Sequence, residues 1–187
     1  INEHFGLNID FTKVPSYDYV DKEVFKKGFT PKEFYDHLTK MQLTSTYHDE
    51  LDQRRGLADI IKRLYKKGHL LYLVSNRHVL ILPYTTVWLR KIGILPYLSG
   101  VIHNSYTQKP YASFKTREAK RLKLDLFLED ALDYAIPVAQ SGIPVILFDR
   151  PWNQAKNLSK NIYRVDDWKG ADKVIKNILS QKKHDQK

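Results

Sequence analysis

The sequence predicts an α/β fold, a doubly wound sheet of parallel strands, and two observations carry that expectation. The first is alternation: apolar runs at Leu70–Val74 and Pro144–Phe148 are separated by segments with helical spacing, the pattern of strands joined by crossover helices. The second is Leu124-Asp125-Leu126-Phe127-Leu128-Glu129-Asp130, an apolar run ending in two adjacent carboxylates. A buried parallel strand with acids at its carboxyl end delivers them to the edge where open α/β sheets place their ligands.

The elements follow in order. Residues 1–52 mix aromatic and charged side chains without a long apolar run and are expected to form a small helical subdomain. Thr30-Pro31-Lys32-Glu33 has the form of a helix start, with Thr30 as N-cap, Pro31 in the first turn and Glu33 closing a capping box. Phe34, Leu38 and Met41 then fall near one helical face. Residues 53–187 are expected to form the α/β core. It would hold a helix from Gly56 to Lys67, a strand from Leu70 to Ser75, a helix near Tyr84 to Ile92 and a short strand at Val101-Ile102. A helix from Lys115 to Leu122 leads into the acid strand. After the acids come a helix closed by Gly142, the strand Pro144–Phe148, a short strand at Ile162–Val165 and a last helix from Ala171 to Leu179.

Composition narrows the class. At 187 residues, 42% hydrophobic and 28% charged, the chain suits one soluble domain with a proper core. No apolar run is long enough to span a bilayer and no signal peptide is visible, so a cytoplasmic location is the default expectation and no membrane is expected as a partner. Zero Cys removes disulfides, thiolate metal ligands and a cysteine nucleophile. The net charge of +10 favours anionic ligands without choosing among them. Much of it falls on helix faces such as Lys62-Arg63 and Lys66-Lys67, which read as solvated surface, so nucleic acid is not expected as a partner.

Three features carry the candidate chemistry. Glu129 and Asp130 at a strand end suit a hard cation, although Asp130 could equally cap the following helix. Ser75, Asn76 and Arg77 follow an apolar strand, where a hydroxyl, backbone N–H groups and a guanidinium suit phosphate; an ordinary polar loop would look the same. Lys115 stands fourteen residues before Glu129, at the start of the helix as read here, an unfavourable place for a cation unless an anion binds beside it.

Strand-Ser, then Lys, then strand-Glu-Asp, in this order on alternating elements, resembles the haloacid dehalogenase (HAD) superfamily of phosphohydrolases, and within it the 5'(3')-deoxyribonucleotidase type. Gly142-Ile143-Pro144-Val145-Ile146-Leu147-Phe148 with Arg150-Pro151-Trp152-Asn153 is the most family-specific piece, and the likeness runs from about residue 2 to 168. The resemblance implies a Rossmann-like, HAD-like core with a small helical cap. It implies Mg²⁺-dependent hydrolysis of a phosphomonoester, a nucleoside monophosphate, through an aspartyl-phosphate. Ser75 and Lys115 would be catalytic, Ser75, Asn76, Arg77 and Lys115 would hold the phosphate, and Asp130 and Glu129 the metal.

One departure matters. The family's first motif, an Asp-x-Asp ending the first strand and supplying the nucleophile, occurs nowhere in these residues, and Asn8-Ile9-Asp10 is a poor substitute. With Ile1 first and Met41 the only methionine, a segment ahead of Ile1 is expected to carry both motif and strand, which would leave residues 1–187 inactive alone. The alternative is a non-catalytic nucleotide- or nucleic-acid-binding protein on the same fold.

Overall fold

The structure, a computed structural model, describes residues 1–44, 56–104 and 111–185, excepting the side chains of 111–112 and 182–185. The expected parallel α/β class is what it shows. Among the described residues five strands form two parallel sheets: β1 (Tyr72–His78) with β2 (Gly100–Asn104), and β3 (Phe127–Glu129), β4 (Val145–Phe148) and β5 (Ile162–Val165) in that order.

The helices are α1 (Asn2–Phe5), α2 (Tyr19–Lys26), α3 (Pro31–Gln42), α4 (Leu57–Lys66), α5 (Leu82–Lys91), α6 (Tyr111–Arg121), α7 (Leu132–Gln140) and α8 (Trp168–Asp185). Alternation along β4 explains why helices cover both faces. Val145 and Leu147 point to one side and meet Ala119 of α6 and Ala135, Val138 and Ala139 of α7. Ile146 and Phe148 point to the other and meet Ile60 of α4 and Ala171 and Ile175 of α8. Burying each such aliphatic side chain contributes about 1.5–3 kcal/mol, which makes β4 the anchor of the core.

The N-terminal helices enclose a smaller core of Phe5, Val24 and Phe34. Thr30 caps α3 as read: its hydroxyl accepts from the Glu33 N–H, and the Glu33 carboxylate accepts from the Thr30 N–H at 2.7 Å. The expected boundary at residue 52 lies outside the described residues. This unit touches the core where the turn Phe11–Lys13 meets the turn Pro151–Asn153.

Three expectations change. The first strand begins at Tyr72 and runs on to His78, so Asn76 and Arg77 belong to β1 and not to a loop; the Ser75 hydroxyl accepts the Arg77 N–H at 3.1 Å, and the register with β2 shifts between Ser75 and His78. Second, α6 begins at Tyr111, just after Pro110, which puts Lys115 in its second turn; the macrodipole argument for an anion at a helix start therefore falls away. Third, only Phe127–Glu129 of the acid run is paired, because β3 finds a partner, β4, on one edge alone.

The other edge of β3 and the facing edge of β1 belong to different sheets, with no ladder between them among the described residues. A cavity of about 570 Å³ lies there, lined by Leu71 and Leu73 from one side, Leu124 and Leu126 from the other, and Ile60 and Leu89. Two parallel strands with apolar walls and open edges facing one cavity form a slot of the shape a further strand fills.

Candidate active site

At the carboxyl end of this slot a second cavity of about 310 Å³ is lined by Val74, Lys115, Leu128, Glu129, Asp130, Phe148, Arg150 and Trp168. β1, β3 and β4 all deliver residues to it, as the carboxyl edge of a parallel sheet should.

Its centre is a buried ion pair. The Lys115 ammonium donates to Glu129 Oε2 at 2.6 Å, with the two side chains 13% and 5% exposed. The other carboxylate oxygen, Oε1, accepts the backbone N–H groups of Asp130 and Ala131 at 3.0 and 3.3 Å. Burial pushes the Glu129 carboxyl above its ordinary value, while Lys115 and the Asp130 N–H pull it back. The Lys115 ammonium also lies 4.2 Å from the centroid of the Tyr134 ring.

The structure decides an alternative that the sequence left open. The N-cap of α7 is Ala131, with no side-chain cap, so Asp130 is not the capping residue. Its carboxylate lines the cavity and makes no hydrogen bond or ion pair among the described residues. What is held is its backbone carbonyl, which accepts from Trp152 Nε1 at 2.8 Å and from Asn153 Nδ2 at 2.7 Å.

Of the residues singled out from sequence, Lys115, Glu129 and Asp130 meet in one cavity. Asn76 reaches the same neighbourhood through Tyr134, whose hydroxyl it faces. No well-formed bond joins the two, and both the amide nitrogen and the amide oxygen of Asn76 are buried without a partner among the described residues. Asn76 does not itself line the cavity, and its amide lies behind the cavity wall beside Tyr134. Ser75 follows the cavity residue Val74, but its oxygen already accepts from Arg77; Arg77 itself is not among the cavity-lining residues.

The sequence reading missed four participants. Tyr134 lies in the first turn of α7, and Tyr17 of the N-terminal subdomain packs edge-on against it at 5.5 Å. Arg150 and Trp168 complete the wall, and each packs on Phe148: the Arg150 guanidinium lies 5.7 Å and the Trp168 ring 4.8 Å from the centroid of its ring. Only Arg150 had a visible signal, lying two residues beyond an apolar strand.

The residues fit a magnesium ion in one respect. Mg²⁺ takes one or two protein carboxylates and fills its remaining positions with water and phosphate oxygens, and Asp130 offers one uncommitted carboxylate. Glu129 is engaged on both oxygens, and among the described residues no group of three or more His, Asp or Glu stands ready as a metal cage.

Fold and site together define a parallel α/β protein with a mixed-charge pocket at its carboxyl edge. No family model matches the chain. It is similar to a curated nucleotidase of Clostridium acetobutylicum, 26% identical over 192 residues and covering 94% of each chain. It is also similar to the protein curated as "Putative nucleotidase YqfW" of Bacillus subtilis, 28% identical over 178 residues, covering 95% of this chain and 84% of that one. Among solved structures, the core domain of "a putative phosphoglycolate phosphatase" from Streptococcus pneumoniae TIGR4 superimposes with a TM-score of 0.47 at 12% identity, over 65% of this chain and 85% of that one.

Proposed function

We propose that this chain forms most of a phosphomonoester hydrolase of the HAD type, a 5'-nucleotidase acting on nucleoside monophosphates. The observation that carries the reading is the Lys115–Glu129 pair with the Asp130 carboxylate, uncommitted among the described residues, beside it in one cavity at the carboxyl edge of the sheet. The two nucleotidase-named relatives, aligned over nearly the whole chain, support it.

In this reading the Asn76 amide and the Lys115 ammonium donate to phosphoryl oxygens, with the Ser75 hydroxyl and Arg77 at the end of the same strand, and offset the charge that develops there. Glu129 holds Lys115 in place. Asp130 would hold Mg²⁺, with Glu129 close behind it; the ion supplies charge neutralisation for the phosphoryl group. The slot between β1 and β3 would take a further parallel strand. An Asp at its carboxyl end would reach the pocket, attack phosphorus and release the nucleoside, after which water would cleave the acyl phosphate.

A second reading, a nucleotide-binding protein without turnover, is favoured by one fact: residues 1–187 contain no Asp-x-Asp. Binding and turnover separate the two. Calorimetric titration of the chain with a nucleoside monophosphate should show saturable binding that Lys115→Ala weakens by an order of magnitude or more. Binding that Lys115→Ala leaves intact sinks both readings; binding with turnover once a strand ending in Asp-x-Asp is supplied decides for the enzyme.

A further inference from the structure

We infer that Trp152 and Asn153 are positioning residues, which hold the backbone of Asp130 and through it aim the Asp130 carboxylate into the pocket. A carbonyl oxygen has two lone pairs, and both of those on Asp130 are filled by side chains from more than twenty residues away, the Trp152 indole at 2.8 Å and the Asn153 amide at 2.7 Å. Neither donor belongs to the acid strand or to the helix after it. The turn after β3 is thus fixed by the turn after β4.

That second turn is itself braced. Asn153 is completely buried, and its amide is used on both sides. Nδ2 donates to the Phe148 carbonyl as well as to Asp130, and Oδ1 accepts from the Arg150 N–H and from Arg164 Nη1. Arg164, reaching from β5, also donates to the Asp149 carboxylate and to the Asn153 carbonyl. The chain of contacts runs from β5 through Asn153 to Asp130, and both polar atoms of the Asn153 amide are used in it. Such bracing holds the turn in one geometry. It suits a carboxylate whose direction must not vary. Partners one shell behind a metal ligand act this way, and losing one typically costs about 10- to 100-fold in metal affinity.

The inference rests on the phosphatase reading for the ion alone; the positioning itself is tested without it. Trp152→Phe keeps the ring and removes the N–H. Gln154→Ala is the control: it removes donors to Asp149 and Arg150 from the same turn and touches nothing at Asp130. Amide hydrogen exchange should rise about fivefold or more at Asp130 and Ala131 in Trp152→Phe, as expected for loss of one buried hydrogen bond, with β4 unchanged. Gln154→Ala should leave Asp130 and Ala131 as they are. Titration with MgCl₂ should then show affinity about tenfold weaker in Trp152→Phe at an unaltered melting temperature. Unchanged exchange at Asp130 and Ala131 overturns the inference whatever the ion does, and so does a rise that spreads through β4. If the unaltered chain takes up no Mg²⁺ while the exchange responds as expected, the metal reading fails and the positioning stands.

Discussion

Strand β4 is buried along its whole length, Val145 to Phe148, whereas every residue of β1, Tyr72 to His78, is only half-buried, although both lie in parallel sheets. The difference is one of neighbours. β4 has β3 and β5 on its two edges and helices on both faces; β1 has β2 on one edge and a cavity of about 570 Å³ on the other. The polar residues Ser75 to His78 account for part of this, but the apolar Tyr72, Leu73 and Val74 are half-buried as well, and for them burial follows pairing. The candidate site straddles the boundary. Asn76 comes from β1 in one sheet, Glu129 and Asp130 from the end of β3 in the other, and Lys115 from α6.

The strongest way to break the comparison is to fill the slot. Residues 1–187 alone should show negligible turnover of p-nitrophenyl phosphate or deoxynucleoside monophosphates with Mg²⁺, while a fusion adding an apolar strand that ends in Asp-x-Asp ahead of Ile1 should raise it by several orders of magnitude, the scale set by a missing covalent nucleophile. Phosphate release measures it. Robust turnover by the chain alone would mean that the slot is not where the nucleophile enters, and Asp10 would be the first residue to test.

Next in size is Lys115→Met. Removing one partner of a buried pair leaves an uncompensated charge, and with Glu129 5% exposed the cost should be about 3–5 kcal/mol at neutral pH. The pH dependence has a definite sign. Glu129 has a folded value above its ordinary 4.5, so the folded state holds the proton longer than the unfolded chain does, and stability falls as pH rises from 4.5 through the folded value. Without Lys115 the folded value climbs further and the window widens upward. Urea denaturation should therefore find the variant's deficit larger at pH 8 than at pH 5, and an equal deficit at both would show that Glu129 is not the group responsible.

The same contrast shows what could be read in advance. Val145–Phe148 was legible because four consecutive apolar residues between a Gly-containing turn and a polar one have few other fates than a strand buried on both faces. Glu129 and Asp130 were legible because acids rarely follow such a run without purpose. The start of α6 was not. Tyr111 to Phe114 carry no capping signature, so Lys115 was read as the opening of the helix when it stands in the second turn. Tyr17 and Tyr134 were out of reach for another reason: their contact joins segments more than a hundred residues apart, and no local period records it. Asn76 looked like a loop residue since Ser, Asn and Arg favour turns, yet pairing with β2 resumes at His78 and draws it into the strand.

A third experiment compares the two halves directly. Leu147 is fully buried in β4 and Leu73 is half-buried against the cavity. Leu147→Ala should cost about 2–5 kcal/mol, and Leu73→Ala under about 2 kcal/mol, because part of its surface already lacks neighbours to lose. Chemical denaturation of both gives the answer. A Leu73→Ala cost equal to that of Leu147→Ala would show the slot to be closed in solution.

The smallest effect asks whether the halves unfold together. Gly142, at φ 90 between α7 and β4, and Gly93, at φ 72 after α5, both sit in the left-handed region, and a Cβ added at either meets no atom within 4 Å. Backbone strain is then all that Ala introduces, about 1 kcal/mol in each case. If the β1–β2 half and the β3–β5 half form one cooperative unit, Gly93→Ala and Gly142→Ala should lower global stability equally, since strain anywhere in the unit counts in full. With one edge of β1 open, the expected result is unequal: Gly142→Ala shows its whole cost in the global transition, and Gly93→Ala shows less there but accelerates amide exchange in β1 and β2. Equal shifts in the denaturation midpoint, with exchange in β1 and β2 unchanged, would mean that the two sheets are coupled across the cavity as firmly as strands within either one.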